Sequence, residues 1–600
     1  MRTIGFENVE LTGGFLAEKQ RLNREVTLQA VYDRFCETGR FGALDCGYRE
    51  GGSQPRPHHF WDSDVAKWLE GAAYALQKQR DPALEARVDA AIESLCAHQW
   101  EDGYINSYYT ACCPKERFTD RDMHELYCAG HLMEAAVAYA QATGKKRLLE
   151  AVERYAALIE RVFVTEKSAA FATPGHEELE LALVRLYRYT GKDRYLRLAA
   201  HFINARGAVE EPQAGAYNQS HLPVRQQTEA VGHAVRACYL YTGMAYLAAE
   251  TGDEALTAAC RRLYDDVTGC KMYVTGGTGS THVGEAFTAR YDLPNAQAYS
   301  ETCAGIALML FANGMLALEN DARYADTVER ALYNVVLSGL SQSGDAFFYE
   351  NPLEIHRSEH FRNRFGAYRF PIMQRVRCFD CSCCPPNLNR LLASLGNYAF
   401  GLQGDTLYLN QFMACRLQTD AVCCTVQTDY PRSGVVRIQA QGVSRVAVRI
   451  PGWCRGYTLN HPAVVQNGYA LVENDGGVIE LTMDMTPYAL YADSRVSQDV
   501  GRLCICRGPV VYCAEEADNG EDLNRFAVPE NFTCTQTPGA FGLPELEVAC
   551  LRRQPFAAGQ LYAAAPPQLQ SAVLHMVPYH AFANRGESDM LVWLPAAPVQ

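Results

Sequence analysis

No stretch of about eighteen consecutive apolar residues occurs in the 600-residue sequence, so no membrane-spanning helix is expected. The opening residues, Met1-Arg2-Thr3-Ile4-Gly5-Phe6-Glu7, lack the apolar segment of a secretory signal, and the chain is expected in the cytoplasm. Basic charge is in deficit: 55 Lys and Arg face 69 Asp and Glu, for a net charge of −14. Nucleic acid and anionic membranes reward clustered cations, so neither is expected as a partner. The Gly-rich run Thr275-Gly-Gly-Thr-Gly-Ser280 lacks the Gly-Lys-Ser/Thr ending and the preceding strand of a phosphate loop. No low-complexity linker divides the chain, so its parts are expected to pack firmly on one another.

Cysteine, by contrast, is plentiful. The 23 thiols are odd in number and spread over the whole length, which reads as reduced cysteine in a reducing compartment. Most, such as Cys128, Cys238 and Cys260, sit among helical apolar residues as small core fillers. One run differs: Cys378-Phe379-Asp380-Cys381-Ser382-Cys383-Cys384-Pro385-Pro386-Asn387. Adjacent cysteines rarely meet the geometry of a disulfide, but adjacent thiolates can share one metal ion. About eighty residues upstream stands Glu301-Thr302-Cys303. Glu301, Cys303, Cys383 and Cys384 together offer one oxygen and three sulfurs, a donor set suited to tetrahedral zinc. Cys378 and Cys381 compete as ligands, and spacing alone does not decide between them.

From Asp62 onward a helix–turn–helix unit repeats. Inner helices are expected to begin near 62, 124, 176, 233, 301 and 386, each rich in Ala and Leu with aromatics all round. Each of the first five is followed by a polar turn and an amphipathic partner; a helix over 18–37 supplies the sixth partner. Three of the turns carry the Gly that suits a helix C-terminus. Six inner and six outer helices make an (α/α)6 barrel. A tetratricopeptide-like array is the alternative, but its 34-residue period is shorter than the spacings seen here. After Gly401 the texture changes to alternating strands split by Gly, Pro and Asn-Gly. The expected division is a catalytic barrel at 17–402, a β-sandwich at 403–504 and a second β-sandwich at 505–600.

Three of the inner helices start at His124, His176 and His233, at matching points of successive repeats. In a closed ring these imidazoles face one mouth, where they can hydrogen-bond sugar hydroxyls. A metal-bound thiolate can act as a nucleophile, and a retaining glycosidase pairs a nucleophile with an acid. Glu285, in the loop Thr281-His-Val-Gly-Glu-Ala-Phe287 before the fifth inner helix, is the candidate acid.

Glu301-Thr-Cys303, Cys381-Ser-Cys-Cys-Pro-Pro-Asn387, His124-Glu-Leu-Tyr-Cys-Ala-Gly-His131, Gly175-His-Glu-Glu178 and Gln227-Thr-Glu-Ala-Val-Gly-His233 resemble glycoside hydrolase family 127. This is a β-L-arabinofuranosidase family with a zinc-bound cysteine nucleophile. The resemblance runs through to Pro578-Tyr-His-Ala-Phe-Ala-Asn-Arg585. It implies that Cys383 is the nucleophile and forms a thioglycosyl intermediate with retention. Glu285 would be acid and then base, and Glu301, Cys303, Cys383 and Cys384 would hold Zn2+. His124, His176, His233, Glu329 and Tyr349 would line the subsite for the terminal furanose, the roles of Glu329 and Tyr349 resting on the resemblance alone. It further implies that the N-terminal segment 5–16 joins the last β-module. The expected partner is an oligosaccharide ending in L-arabinofuranose or a related sugar, with a homodimer as the candidate assembly. Three other readings are open at this point: the same chemistry on another terminal sugar of plant glycans, a carbohydrate-binding scaffold with a structural zinc, and a barrel epimerase using histidines. The loop at 38–60 does not align with the family pattern and carries no assigned contact.

Overall fold

A computed structural model describes residues 1–358 and 372–597. Six inner helices form a closed ring: Trp61–Lys78, Glu125–Thr143, Leu179–Thr190, Ala234–Thr251, Thr302–Leu318 and Cys384–Ala393. Each packs on the next, and the sixth returns to the first. The closing seam is tight. A Cβ on Gly71 of the first inner helix would lie 3.0 Å from the Arg390 backbone nitrogen of the sixth, so a larger residue would push the two helices apart.

The outer helices Pro82–Ala97, Arg147–Ile159, Asp193–Ala205, Glu254–Cys270 and Ala322–Ala331 each pack on the inner helix before them. The sixth outer position is filled by Gly14–Leu22 and Leu28–Glu37, joined through a π-turn at Asn23–Thr27. The division of labour follows composition. Glu125–Thr143 is buried without a break from Glu125 to Ala140, whereas Arg147–Ile159 buries one stripe, including Leu148, Val152, Tyr155 and Ile159, and shows water the rest. No helix among the described residues is long and apolar enough to cross a membrane.

Two six-stranded sheets form the first β-domain. One runs Arg2–Thr3, Phe400–Gln403, Thr406–Leu409, Arg445–Arg449, Tyr469–Glu473, Ala463–Gln466; the other runs Tyr457–Leu459, Ile479–Met483, Val435–Gln441, Cys423–Thr428, Ala414–Gln418, Val9–Gly13. The N-terminal segment is thus a correction. Val9–Gly13 lies antiparallel to Ala414–Gln418, with Val9 opposite Leu417, so it completes the first β-domain and not the last. Its neighbour Arg2–Thr3 pairs with Phe400–Gln403, which already belongs to this domain although the barrel was expected to run to 402. The second β-domain also begins earlier than 505. Tyr488–Leu490 pairs with Arg502–Arg507, and ten strands form one hydrogen-bonded set. Glu354–Ile355, from the crossover after the fifth helix pair, adds to it through Met590–Leu591 and fastens this domain to the barrel.

Candidate active site

Functional groups gather where the inner helices begin. His124, His233, Glu301 and Cys383 each occupy the position immediately before an inner helix. The positive ends of the helix dipoles therefore converge on this mouth, which favours thiolate and carboxylate there. Pro385 and Pro386 fit the first turn of the sixth inner helix, which has no use for their missing N–H, and this sets Cys383 and Cys384 at its very start. The loop before them is braced. The Ser382 hydroxyl accepts from the Phe379 backbone at 2.9 Å, and Arg40 donates to the Asp380 carbonyl at 2.8 Å while holding Asp64 at 2.9 Å.

Glu301, Cys303, Cys383 and Cys384 bring one ligand atom each to within 4.8 Å of one another. The Cys303 sulfur is 3.6 Å from that of Cys383 and 3.3 Å from that of Cys384, and Cys383 and Cys384 are 3.8 Å apart. Glu301 Oε1 lies 3.6 Å from both Cys383 and Cys384. A tetrahedral zinc with sulfur at about 2.3 Å has S–S edges of about 3.8 Å, so these spacings fit the ion. Two further observations agree. Glu301 Oε2 is buried without a hydrogen-bond partner among the described residues. Burial and the negative charge of Cys383 and Glu285 push the Glu301 carboxyl well up, and burial with the neighbouring sulfurs does the same to Cys384. The four groups cannot all shed their protons unless a cation offsets them. Burial pushes Cys303 up too, but the hydrogen bonds it shares with Cys383 and Cys384, with the charge of Lys67, bring it down to about 6. Cys378 turns instead to the Ser382 hydroxyl at 3.0 Å, and Cys381 to the Tyr349 hydroxyl at 3.8 Å; neither joins the cluster.

Glu285 is delivered by backbone. It adopts a left-handed φ of 52° after Gly284, itself at 67°. The short strand Ala286–Phe287 then pairs with Gly232–His233, which sets the Glu285 carboxylate 2.9 Å from His233 Nε2. The Val235 N–H donates to His233 Nδ1 at 3.2 Å, so the neutral imidazole carries its proton on Nε2 and donates to Glu285. Burial raises the Glu285 carboxyl, but hydrogen bonds from His233 and Tyr299, with the charge of Arg236, outweigh it and hold the group below the usual range. Tyr349 stands between the two halves of the site, its hydroxyl 3.4 Å from the Cys383 sulfur and 3.5 Å from Glu285 Oε2.

The histidines continue the arc. His124 lies 5.6 Å from His176, and His176 5.5 Å from His233, centre to centre. Burial and the charge of Arg236 push both His124 and His176 well below the ordinary imidazole value. Each Nδ1 faces a backbone carbonyl, that of Asp122 at 2.6 Å and of Glu177 at 2.9 Å, and so carries the proton. Each Nε2 is left as an acceptor for a hydroxyl.

Family models match most of the chain. Residues 8–397 match the β-L-arabinofuranosidase, GH127 catalytic domain, and residues 487–595 match the glycoside hydrolase family 127 C-terminal domain. The chain belongs to glycoside hydrolase family 127. Among its family 127 relatives, a non-reducing end β-L-arabinofuranosidase of Bifidobacterium longum subsp. longum is 36% identical over 588 residues, covering 89% of each chain. The solved structure of a GH127 β-L-arabinofuranosidase from Geobacillus stearothermophilus T6 is 39% identical, covers 98% of this chain and 100% of its own, and superposes with a TM-score of 0.92. A second GH127 structure, a β-arabinofuranosidase, is 33% identical with 99% and 98% covered and a TM-score of 0.89. The protein is a glycoside hydrolase with a helical catalytic domain and C-terminal β-domains.

One residue expected in the sugar subsite lies elsewhere. Glu329, 1% exposed on the fifth outer helix, has both carboxylate oxygens engaged by the first β-domain. Arg449 pairs with both oxygens, the Tyr430 hydroxyl donates to Oε1 at 2.7 Å, and the Trp453 indole donates to Oε2 at 2.9 Å. Its work is to dock that domain on the barrel, because no lone pair is left over for a sugar. Glu329→Ala is accordingly expected to lower stability by about 2–4 kcal/mol, since it removes one of the two carboxylates that hold the buried Arg449 guanidinium, Asp326 being the other. A denaturant titration checks this, and the folded fraction should keep its KM.

Lys67, Tyr127 and His59 also face this region and were missed. The His59 ring lies 4.9 Å from that of His124, tilted by 49°, and so brings the end of the 38–60 loop to the arc. Lys67 carried a signal in the sequence: it is a lone cation inside the apolar run Val-Ala-Lys-Trp-Leu.

Proposed function

We propose that the protein is a retaining exo-glycosidase that removes terminal β-L-arabinofuranosyl residues, with Cys383 as nucleophile and Glu285 as acid and then base. The observation that carries this reading is the placement of Cys383 and Glu285 on either side of the Tyr349 hydroxyl. The nucleophile–acid spacing of retaining enzymes, about 5–5.5 Å, falls within what those two contacts allow. The family membership and the substrate named for its relatives support the choice of sugar.

Zn2+ held by Glu301, Cys303, Cys383 and Cys384 would keep the Cys383 sulfur deprotonated while leaving it a lone pair for attack. His124, His176 and His233, with Tyr349, hold the furanose over that sulfur. Cys383 Sγ bonds to the anomeric carbon as the glycosidic C–O bond breaks, and Glu285 passes its proton to the departing oxygen. Glu285, now a carboxylate, takes a proton from water; the water oxygen bonds to the same carbon, and the C–S electron pair returns to Cys383. Two inversions give net retention. All 23 cysteines are unpaired, which fits work in the reducing cytoplasm.

A panel of nitrophenyl glycosides, read by NMR for the first-formed anomer, tests the assignment. β-L-Arabinofuranoside should be the preferred substrate with a retained product. Preference for another sugar would move the reading to a different terminal residue of plant glycans, and an inverted product would end it.

The His233–Glu285 contact also fixes the direction of a pH effect. A carboxyl held below its usual range loses its proton early as pH rises, so the acid-assisted step should decline already in weakly acidic solution. His233→Ala removes the donor that depresses Glu285, and burial then raises the carboxyl. The falling limb of kcat/KM on a poor leaving group should move to higher pH, whatever the loss in absolute rate. An unmoved limb would contradict the pairing.

A further inference from the structure

Lys67 lies in the first inner helix, 1% exposed, and among the described residues its Nζ has no hydrogen-bond partner. The Tyr127 ring centroid is 5.2 Å from it, and Tyr127 in turn packs 4.1 Å from the His176 ring. An unpaired buried ammonium costs several kcal/mol unless a counter-charge faces it.

The register of the helices locates that counter-charge. The first and sixth inner helices run side by side in the same direction. Arg40 ties Asp64 to the Asp380 carbonyl, Glu70 pairs with Arg390 at 2.9 Å, and Gly71 abuts Asn389 and Arg390. Lys67 therefore stands opposite the stretch between 380 and 389, which holds Cys383 and Cys384. Burial pushes the Lys67 amine down, but the negative charge of Cys383, Asp64 and Cys303 more than reverses it. The charge arithmetic asks for such a group. Four deprotonated ligands around one divalent ion would set four negative charges against two positive ones. A surplus would remain in a buried place.

We infer that Lys67 is a positioning residue that acts through the thiolate cluster and makes Cys383 a good leaving group in the second half of the reaction. The inference rests on the reading of Cys383 as nucleophile and goes beyond it. In the first step negative charge leaves the sulfur, which a nearby ammonium opposes. In the second, the C–S pair returns to the sulfur as water bonds to the anomeric carbon and Glu285 takes the proton, and the ammonium favours this. Lys67 thus shifts the balance from forming the thioglycosyl enzyme to resolving it.

The test is rapid-mixing kinetics with nitrophenyl β-L-arabinofuranoside on wild type, Lys67→Met and Lys67→Gln, with zinc content and melting temperature measured in each. In the neutral variants breakdown of the intermediate should slow roughly tenfold while its formation does not slow. Mass spectrometry of the quenched protein should then find a pentosyl group on the Cys383 peptide in a larger fraction of molecules. Lys67→Arg, which keeps the charge, should partition like wild type. Equal slowing of both steps, or a change in KM alone, in a folded variant with full zinc would overturn the role. Glu285→Gln separates this failure from a deeper one. With the same activated substrate its second step lacks a base, so the Cys383 adduct should build up whatever residue stands at 67. No adduct there would remove the nucleophile itself; an adduct there but none in the Lys67 variants would remove only the role of Lys67.

Discussion

Replacing Cys383 with alanine is expected to abolish hydrolysis, with kcat/KM falling at least about 10⁴-fold. Two losses combine in this variant. The atom that would bond to the anomeric carbon is gone, and so is one of the four donors in the cluster. Zinc analysis separates the two. Cys384→Ala removes a donor of the same chemistry that is fully buried, and it leaves the half-buried Cys383 sulfur in place. If both variants bind zinc less tightly but Cys384→Ala recovers turnover in excess zinc while Cys383→Ala does not, the catalytic loss belongs to the sulfur of Cys383. Stripping the metal from wild type with a strong chelator should produce a comparable loss, reversed by Zn2+, because ligand binding and thiol deprotonation are linked. Full turnover by metal-free protein, or by Cys383→Ala, would contradict the account.

The second large effect is expected at Glu285, and its size should depend on the substrate. Glu285→Gln should cost about 10²–10⁴-fold on an alkyl arabinofuranoside, whose departing oxygen needs a proton. The first step with a nitrophenyl leaving group should be nearly spared, since that oxygen departs as a stabilised anion. Geometry gives the reason to expect a single residue to carry this burden. The His233 N–H holds Oε2, and the Tyr349 hydroxyl, itself 3.4 Å from the Cys383 sulfur, sits 3.5 Å from the same oxygen, so the carboxyl is fixed beside the nucleophile. Equal losses on both substrates would assign the proton to some other group.

How far the chain could be read in advance depended on how local each signal was. The inner helices were legible because burial on all sides leaves an all-round apolar pattern, and the turn after three of them needs a left-handed residue that Gly supplies: Gly144, Gly191 and Gly252 all have positive φ. The gathering of Glu301, Cys303, Cys383 and Cys384 was legible because so dense a run of thiols has few packing uses, although spacing did not show that Cys378 and Cys381 would turn away from it. The pairing of Val9–Gly13 was not, since an alternating strand advertises that it will join a sheet but not which one, and its partner lies some four hundred residues away. Glu329 was assigned to the sugar subsite on the resemblance alone, and its true partners were hidden for a related reason. In its own helix it reads as one polar position among many, and the guanidinium that consumes its lone pairs comes 120 residues later. Lys67 is the reverse case: a visible anomaly in a buried helix whose meaning depends on which residues the ring closure brings opposite it.

The central claim is that carbon bonds to sulfur. It is tested most directly by a crystal structure of the protein after reaction with an arabinofuranose-derived electrophile. The account predicts continuous density from the anomeric carbon to Cys383 Sγ, with the carboxylate of Glu285 within hydrogen-bonding reach of the aglycone side. Density joining the sugar to an oxygen of Glu285 or Glu301 instead, with Cys383 unmodified, would contradict it.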